Sequence, residues 1–203
     1  MLMITQGLSQ NHAPSFTAGY TAPASGTLYN WGYGPAFTTN RTAITSAPSM
    51  TYDNETLYLK GWHIHSPADH TVQFDRSKAE LHLVHADATG AERGVVAIRI
   101  DPGNSDSPFF SQFLSDDSVP GFDSQDGKEM QIDMLQALKE VNMFNEFWTY
   151  EGSLTSPPCS EGIGWWVARN TLFIGVKQMQ RILEVSTYSA RVEQEVWMHG
   201  INV

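Results

Sequence analysis

The sequence predicts a single domain of the mainly β class, in which a mostly antiparallel sheet is accompanied by a few short helices. Its 203 residues are about the length of one domain, and a hydrophobic content of 41% is sufficient for a core. Runs of β-branched and aromatic residues recur along the chain, whereas helical periodicity appears in two places only. We therefore expect one β-rich α+β domain over residues 1–203.

The predicted elements follow the order of these runs. Residues 1–27 are rich in Ser, Thr, Ala, Gly and Pro and predict an irregular lead-in with one short strand near 15–20. A tight turn is predicted at 75–77, between two strands. Apolar residues at three- and four-residue steps predict helices near 127–141 and 178–185. Strands are predicted over residues 56–65, 70–74, 78–85, 94–100, 165–168 and 171–174.

The acidic composition disfavours two classes of partner. Asp and Glu number 22 against 12 Lys and Arg, which gives a formal net charge of −10. Nucleic-acid phosphates require clustered cations, so we expect no nucleic-acid partner. No apolar run approaches the ~20 residues that span a bilayer, so we expect no membrane span.

Five of the seven histidines lie between residues 63 and 85. His63 and His65 are two apart on a predicted strand, so their side chains share one face and lie roughly 6.6 Å apart. On the next strand but one, His82 and Glu80 share a face, and the alternating leucines point to the other face. A carboxylate beside a metal-binding histidine accepts its second N–H and fixes the tautomer, which is the role we predict for Glu80.

Three neutral imidazoles without thiolates suit Zn²⁺, and a fourth position left open for water indicates catalysis. We therefore predict a zinc site at His63, His65 and His82. The alternative is that these histidines are polar residues on a solvated strand face. His70 and His85 are interpreted as hydrogen-bonded structural residues.

Three segments read GWHIHSPADHTV (61–72), AELHLVH (79–85) and GSLTSPPCSE (152–161). In order and spacing they resemble the α-class carbonic anhydrases, especially the secreted microbial and fungal members, and the resemblance covers about residues 28–203. It implies a large twisted, mostly antiparallel central sheet with a few short peripheral helices. It also implies reversible hydration of carbon dioxide to bicarbonate and a proton, by hydroxide on zinc.

The resemblance also implies roles for individual residues. Thr155 matches the threonine whose hydroxyl lies between the zinc-bound hydroxide and a carboxylate, and whose N–H faces the substrate. The Pro157-Pro158 bond is expected to be cis. The residues expected to contact carbon dioxide are Thr155, Ser156, Val84, Val95, Leu154, Ile163 and Trp165.

Three positions depart from the family pattern. Tyr33 stands where a histidine often exports the proton, and a phenol holds its own proton at neutral pH, so we expect slower hydration that rises with imidazole-type buffer. Asp69 stands where the family has the glutamate that accepts from the threonine. Gly61 replaces a glutamine that supports the first zinc ligand, and such losses cost about 10–100-fold in affinity or activity.

The family's Q-S-P-I segment has no counterpart, and in secreted relatives a cysteine upstream of it pairs with the position of Cys159. We therefore expect a secreted full-length protein whose N-terminal portion is missing from this chain; a chain that truly starts at Met1 predicts a cytoplasmic location. The sequons at Asn40 and Asn54 fit secretion.

Besides the hydrating enzyme, two functions remain open. One is a zinc-retaining binding protein with weak or no activity, suggested by the three departures and by the missing N-terminal segment. The other is an unrelated zinc hydrolase of esters or amides, which would need a general base near the metal, and the sequence has no H-E-x-x-H motif.

Overall fold

The fold was analysed on a computed structural model, which describes residues 8–10, 12–114, 119–122, 124, 126–194 and 200–202. The strands are β1 Leu8–Gln10, β2 Ser15–Phe16, β3 Ala24–Asn30, β4 Pro35–Thr39, β5 Ser49–Tyr52, β6 Glu55–His65, β7 Thr71–Val72, β8 Asp75–Arg76, β9 Ala79–Ala86, β10 Glu92–Gly103, β11 Lys128–Ile132, β12 Phe147–Ser153, β13 Glu161–Ala168, β14 Leu172–Gly175 and β15 Gly200–Asn202. The α-helices are α1 Pro108–Ser111, α2 Leu135–Glu140 and α3 Val176–Glu184.

One large sheet dominates the molecule, as the sequence predicts. Along it the strands follow the order β1-β15-β12-β13-β10-β9-β6-β4-β3-β11. Most neighbours are antiparallel, but β10 pairs in parallel with β13 and with β14, and β1 pairs in parallel with β15. The mainly β class is therefore confirmed. No helix in the described part of the chain is long and apolar enough to cross a bilayer.

The two faces of the sheet carry different cores because alternate residues of a strand point to opposite sides. Val96 and Ile98 of β10 belong to the larger core, to which α2 and α3 contribute Leu138 and Ile182. Val95, on the other face of β10, belongs to a smaller cluster of mainly aromatic and β-branched residues. The helices therefore cover one face, and the histidines predicted to bind metal lie on the other.

Two predictions at the ends of elements are wrong. The turn between the paired strands β7 and β8 lies at Gln73 and Phe74, both with positive φ, and not at 75–77. Strand β10 does not stop at Ile100 but continues to Gly103, because its last four residues pair with β14. That pairing supplies the backbone partners that a turn would otherwise provide.

The predictions for two longer segments also need correction. Residues 128–132 form edge strand β11, paired with β3, and the helix predicted at 127–141 is reduced to α2. The lead-in predicted at 1–27 contains the short strand expected near 15–20, which is β2, but it also contains the first residues of β3. In both places pairing with a distant strand, which no local pattern reveals, determines the backbone conformation.

Candidate metal centre

The side chains of His63, His65 and His82 converge on the face of the sheet that the helices leave open. His63 and His65 lie on β6, and His63 is directly opposite His82 of β9 in the antiparallel ladder. The Nε2 atoms of His63 and His65 are 3.0 Å apart. One nitrogen from each of the three rings lies within 4.8 Å of those of the other two. The three histidines therefore point at one position.

The donor set fits Zn²⁺. Tetrahedral ligation with Zn–N bonds of about 2.0–2.1 Å places ligand nitrogens roughly 3.4 Å apart, close to the observed spacing. Burial, together with the neighbouring imidazoles, lowers the pKa of His63 well below its ordinary value and that of His65 to about 3. Neutral imidazoles are the form that binds a metal, so these rings are ready to do so at neutral pH.

Glu80 connects His82 to a buried network. Its Oε1 accepts from Nε2 of His82 at 2.6 Å and from Nδ1 of His70 at 2.5 Å. Burial would raise the pKa of this carboxyl, but His70 and His82 outweigh it and hold the pKa well below its usual range. Because its Nε2 donates to Glu80, His82 keeps Nδ1 unprotonated and available to an ion.

His70 extends this network to Tyr150. The Tyr150 hydroxyl donates to Nε2 of His70 at 2.9 Å, and burial raises the pKa of that phenol well above its ordinary value. His70, Glu80 and His82 also lie close enough together to hold an ion. Their facing atoms are already joined by hydrogen bonds, so we assign His70 and Glu80 to the support of His82, in line with the prediction that His70 is structural.

His65 is supported from the C-terminal part of the chain. Its Nδ1 lies 3.1 Å from the Oγ of Ser189, which also accepts from the backbone N–H of Ser66 at 3.3 Å. A ring nitrogen with a fixed partner directs the opposite nitrogen toward the metal. Ser189 therefore does for His65 what Glu80 does for His82.

The residues expected to contact carbon dioxide lie together beside the histidines. Val95, Ile163 and Trp165 are buried in the smaller core, and the partly exposed Val84 and Leu154 pack against it. Val84 and Leu154, with His63 and Ser156, line a cavity of about 280 Å³. Thr155 lines a second cavity with His65, of about 180 Å³. The sheet thus places an apolar wall beside the three imidazoles, and the Pro157-Pro158 bond is cis.

The model of the family described as eukaryotic-type carbonic anhydrase matches residues 4–200. The chain belongs to this family. A carbonic anhydrase from Klebsiella pneumoniae is 31% identical over 137 residues, which are 68% of this chain and 53% of that protein. Alpha carbonic anhydrase 4 from Arabidopsis thaliana is 30% identical over 166 residues, 77% of this chain and 60% of that protein. The chain thus spans little more than half the length of these relatives.

Solved carbonic anhydrases have the same fold. The α-carbonic anhydrase of Photobacterium profundum superimposes with a TM-score of 0.81 at 22% identity, covering 100% of this chain and 87% of that one. The enzyme from Thermovibrio ammonificans, in complex with the inhibitor sulfanilamide, gives 0.81 at 22% identity, with coverages of 97% and 81%. The large mixed sheet is therefore the carbonic anhydrase fold.

Asp69 and Thr155, expected to be hydrogen-bonded in a carbonic anhydrase, are not joined. Asp69 is fully buried and its Oδ1 accepts from the backbone N–H of Arg191 at 3.0 Å. Its Oδ2 has no hydrogen-bond partner among the described residues and lies 3.5 Å from Nδ1 of His65. The short aspartate is held on the His65 side of the site, and its free oxygen does not reach Thr155.

A side chain at position 61 is excluded by steric contact in this chain. Gly61 follows an irregularity in the pairing of β6 with β9, and a Cβ built on it would lie 2.1 Å from the carbonyl oxygen of Phe37. No side chain fits there without backbone movement. The position therefore cannot supply the glutamine support that the resemblance implies for His63.

Tyr33 and Trp31 lie at the mouth of the site. Tyr33 is 46% exposed, and its ring centroid is 4.8 Å from that of Trp31. Trp31 and Ser189 were not predicted as site residues. Ser189 is 124 positions from His65, so no local pattern indicates it. Trp31 could have been noticed as an aromatic residue two positions before Tyr33.

Proposed function

We propose that this carbonic anhydrase family member catalyses the reversible hydration of carbon dioxide to bicarbonate and a proton. The observation that supports this most directly is the convergence of His63, His65 and His82 beside an apolar wall. These three residues would hold Zn²⁺. Bound zinc lowers the pKa of a coordinated water to about 7, a shift for which carbonic anhydrase is itself the standard example.

The protein's own groups have distinct parts in this proposal. Val84 and Leu154 offer carbon dioxide an apolar surface, which suits a molecule without hydrogen-bond donors. Thr155 and Ser156 supply polar groups at the border of the two cavities. The ring nitrogens that do not face the metal are held by Glu80 for His82 and by Ser189 for His65. The site is therefore organised before substrate arrives.

Proton export is the step that we expect to be slow. Tyr33 offers a phenol where a histidine would offer a basic ring nitrogen, so the proton must pass through solvent to external buffer. Hydration should therefore accelerate as imidazole-type buffer is raised at constant pH and ionic strength. A rate indifferent to buffer concentration contradicts this assignment.

The test combines zinc analysis with stopped-flow carbon dioxide hydration. The expected result is one zinc per chain and a hydration rate that azide, a small anion that binds zinc, suppresses. His63→Ala should lose zinc and at least 100-fold of the activity. His12→Ala is the matched control, because His12 is exposed and pairs with Asp53 at 2.6 Å, away from the site. A wild-type protein without zinc refutes the proposal.

A second candidate is a zinc-binding protein with weak or no activity. The observation that favours it is that Oδ2 of Asp69 has no hydrogen-bond partner among the described residues, since Thr155 then lacks this carboxylate to orient its hydroxyl. Stoichiometric zinc without measurable hydration identifies this function. We also propose that the full-length protein is secreted. The exposed Asn40 and Asn54 would then be glycosylated in a eukaryotic secretory host, which mass spectrometry detects.

A further inference from the structure

The indole of Trp31 lies directly against two of the three converging histidines. Its ring centroid is 4.9 Å from that of His63 and 5.1 Å from that of His65. Its Nε1–H donates to the backbone carbonyl of Ile64, the residue between the two histidines, at 3.3 Å. The indole is therefore held across the strand at the point from which both ligands project.

The backbone that presents Trp31 is fixed in place. Its N–H donates to the carbonyl of Gly34 at 3.1 Å, and the turn between them uses Gly32 with a φ of +94°. The Asn30 side chain accepts from Gly32 N–H at 3.0 Å and donates to the Val185 carbonyl at 2.8 Å. These bonds tie the turn to the body of the protein and leave the indole few alternative positions.

Trp31 lies between the two cavities that reach the site. The cavity of about 280 Å³ approaches the site at His63, and the cavity of about 180 Å³ approaches it at His65. Trp31 and Ser156 are the residues that line both. Pockets for drug-sized ligands measure roughly 300–1,000 Å³, so each cavity by itself falls below that range and the two together fall within it.

We infer that Trp31 divides the approach to the metal centre into two small chambers and thereby selects ligands by size. This inference rests on the proposed function, because it takes the three histidines as the metal site. A linear triatomic molecule such as carbon dioxide fits one chamber. A ligand with an aromatic ring attached to its metal-binding group meets the indole face and binds weakly.

The test compares a triatomic anion with an aromatic sulfonamide on zinc-loaded protein. Dissociation constants for azide and sulfanilamide are measured by isothermal titration calorimetry for the wild type, Trp31→Ala and Trp31→Phe. We expect Trp31→Ala to tighten sulfanilamide binding at least tenfold and to change azide binding less than threefold. Trp31→Phe, which keeps an aromatic ring, should tighten sulfanilamide by a smaller factor. Phe173→Ala, at an exposed aromatic residue on β14, is the control that should change neither constant.

The outcomes separate this inference from the proposed function. If the zinc-loaded variants show the same ratio of sulfanilamide to azide affinity as the wild type, the inference is overturned and the proposed function is unaffected. If the variants lose zinc and bind both ligands more weakly by the same factor, Trp31 serves to hold the histidines in place, and the inference is again overturned. A wild type that binds no zinc overturns the proposed function and this inference together. If Trp31→Ala does not fold, Trp31→Phe decides the question through the same ratio.

Discussion

Replacement of Glu80 by Gln should weaken zinc binding by about 10–100-fold, which corresponds to about 1.4–2.7 kcal/mol. Glu80 accepts three hydrogen bonds: Oε2 from the His70 backbone N–H at 2.9 Å, and Oε1 from the rings of His70 and His82. A glutamine has one acceptor oxygen and one amide group, and so cannot satisfy all three donors. The consequence depends on which way the amide turns.

With its oxygen toward the two rings, the amide N–H₂ of the variant faces the His70 N–H and leaves a buried donor unpaired, at a cost of about 1–3 kcal/mol in unfolding free energy. With its N–H₂ toward the rings, Nε2 of His82 must become an acceptor, and the ring proton moves to Nδ1. That nitrogen is the one available to the metal, so zinc must displace a proton. Either orientation therefore lowers stability or affinity.

The assay is a competition titration of zinc against a chelator at pH 7.5, paired with urea unfolding. Glu129→Gln is the matched control, since this exposed carboxylate accepts from Asn40 at 2.6 Å and from Thr27 on the sheet edge. The control should leave zinc affinity unchanged. A Glu80→Gln protein with wild-type zinc affinity and wild-type unfolding would refute the reasoning that Glu80 fixes the tautomer.

Three further predictions follow from the same geometry. Asp69→Glu extends the carboxylate by about 1.5 Å and should raise the hydration rate several-fold by reaching Thr155, as stopped-flow assays would detect; an unchanged rate contradicts a role for the missing contact. Gly61→Gln should lower the unfolding free energy by about 1–3 kcal/mol without tightening zinc, because its Cβ meets the Phe37 carbonyl; a stable variant with tighter zinc opposes this. Burial lowers the pKa of His85 to about 3, against about 6.5 when unfolded, so the unfolded chain takes up a proton as pH falls below 6.5. Between pH 6.5 and 5 the wild type should lose about 1.6 kcal/mol more stability than His85→Gln in urea unfolding, and equal losses would exclude His85 as the source.

The convergence of the three histidines could be predicted from the sequence because strand geometry relates spacing to direction. Residues two positions apart on one strand share a face. The spacing of His63 and His65, and of Glu80 and His82, therefore predicted that their side chains converge. His85 has the opposite parity, and the structure places it in the core with its Nε2 bonded to the Tyr20 hydroxyl.

The remaining parts depend on contacts between distant segments. Ser189 reaches His65 from the C-terminal part, and the indole of Trp31 reaches the site because its turn is tied to Val185. Residues 128–132 alternate weakly enough that a helix pattern also described them, and only pairing with β3 makes them a strand. Asp69 does not make the contact with Thr155 that the resemblance implies, because its orientation toward Arg191 depends on tertiary packing.

His63 lies directly opposite His82 in the β6–β9 ladder. Both side chains can therefore contribute to one metal site only when the two strands are in this register. A slip of one residue between them would turn the imidazole of His82 toward the helix-covered side and bring Leu81 or Leu83 to the ion. Zinc would therefore stabilise only the observed register of the two strands, since only that register presents all three donors. Zinc added during refolding should accordingly increase the yield of correctly assembled protein more than its effect on the finished fold would suggest.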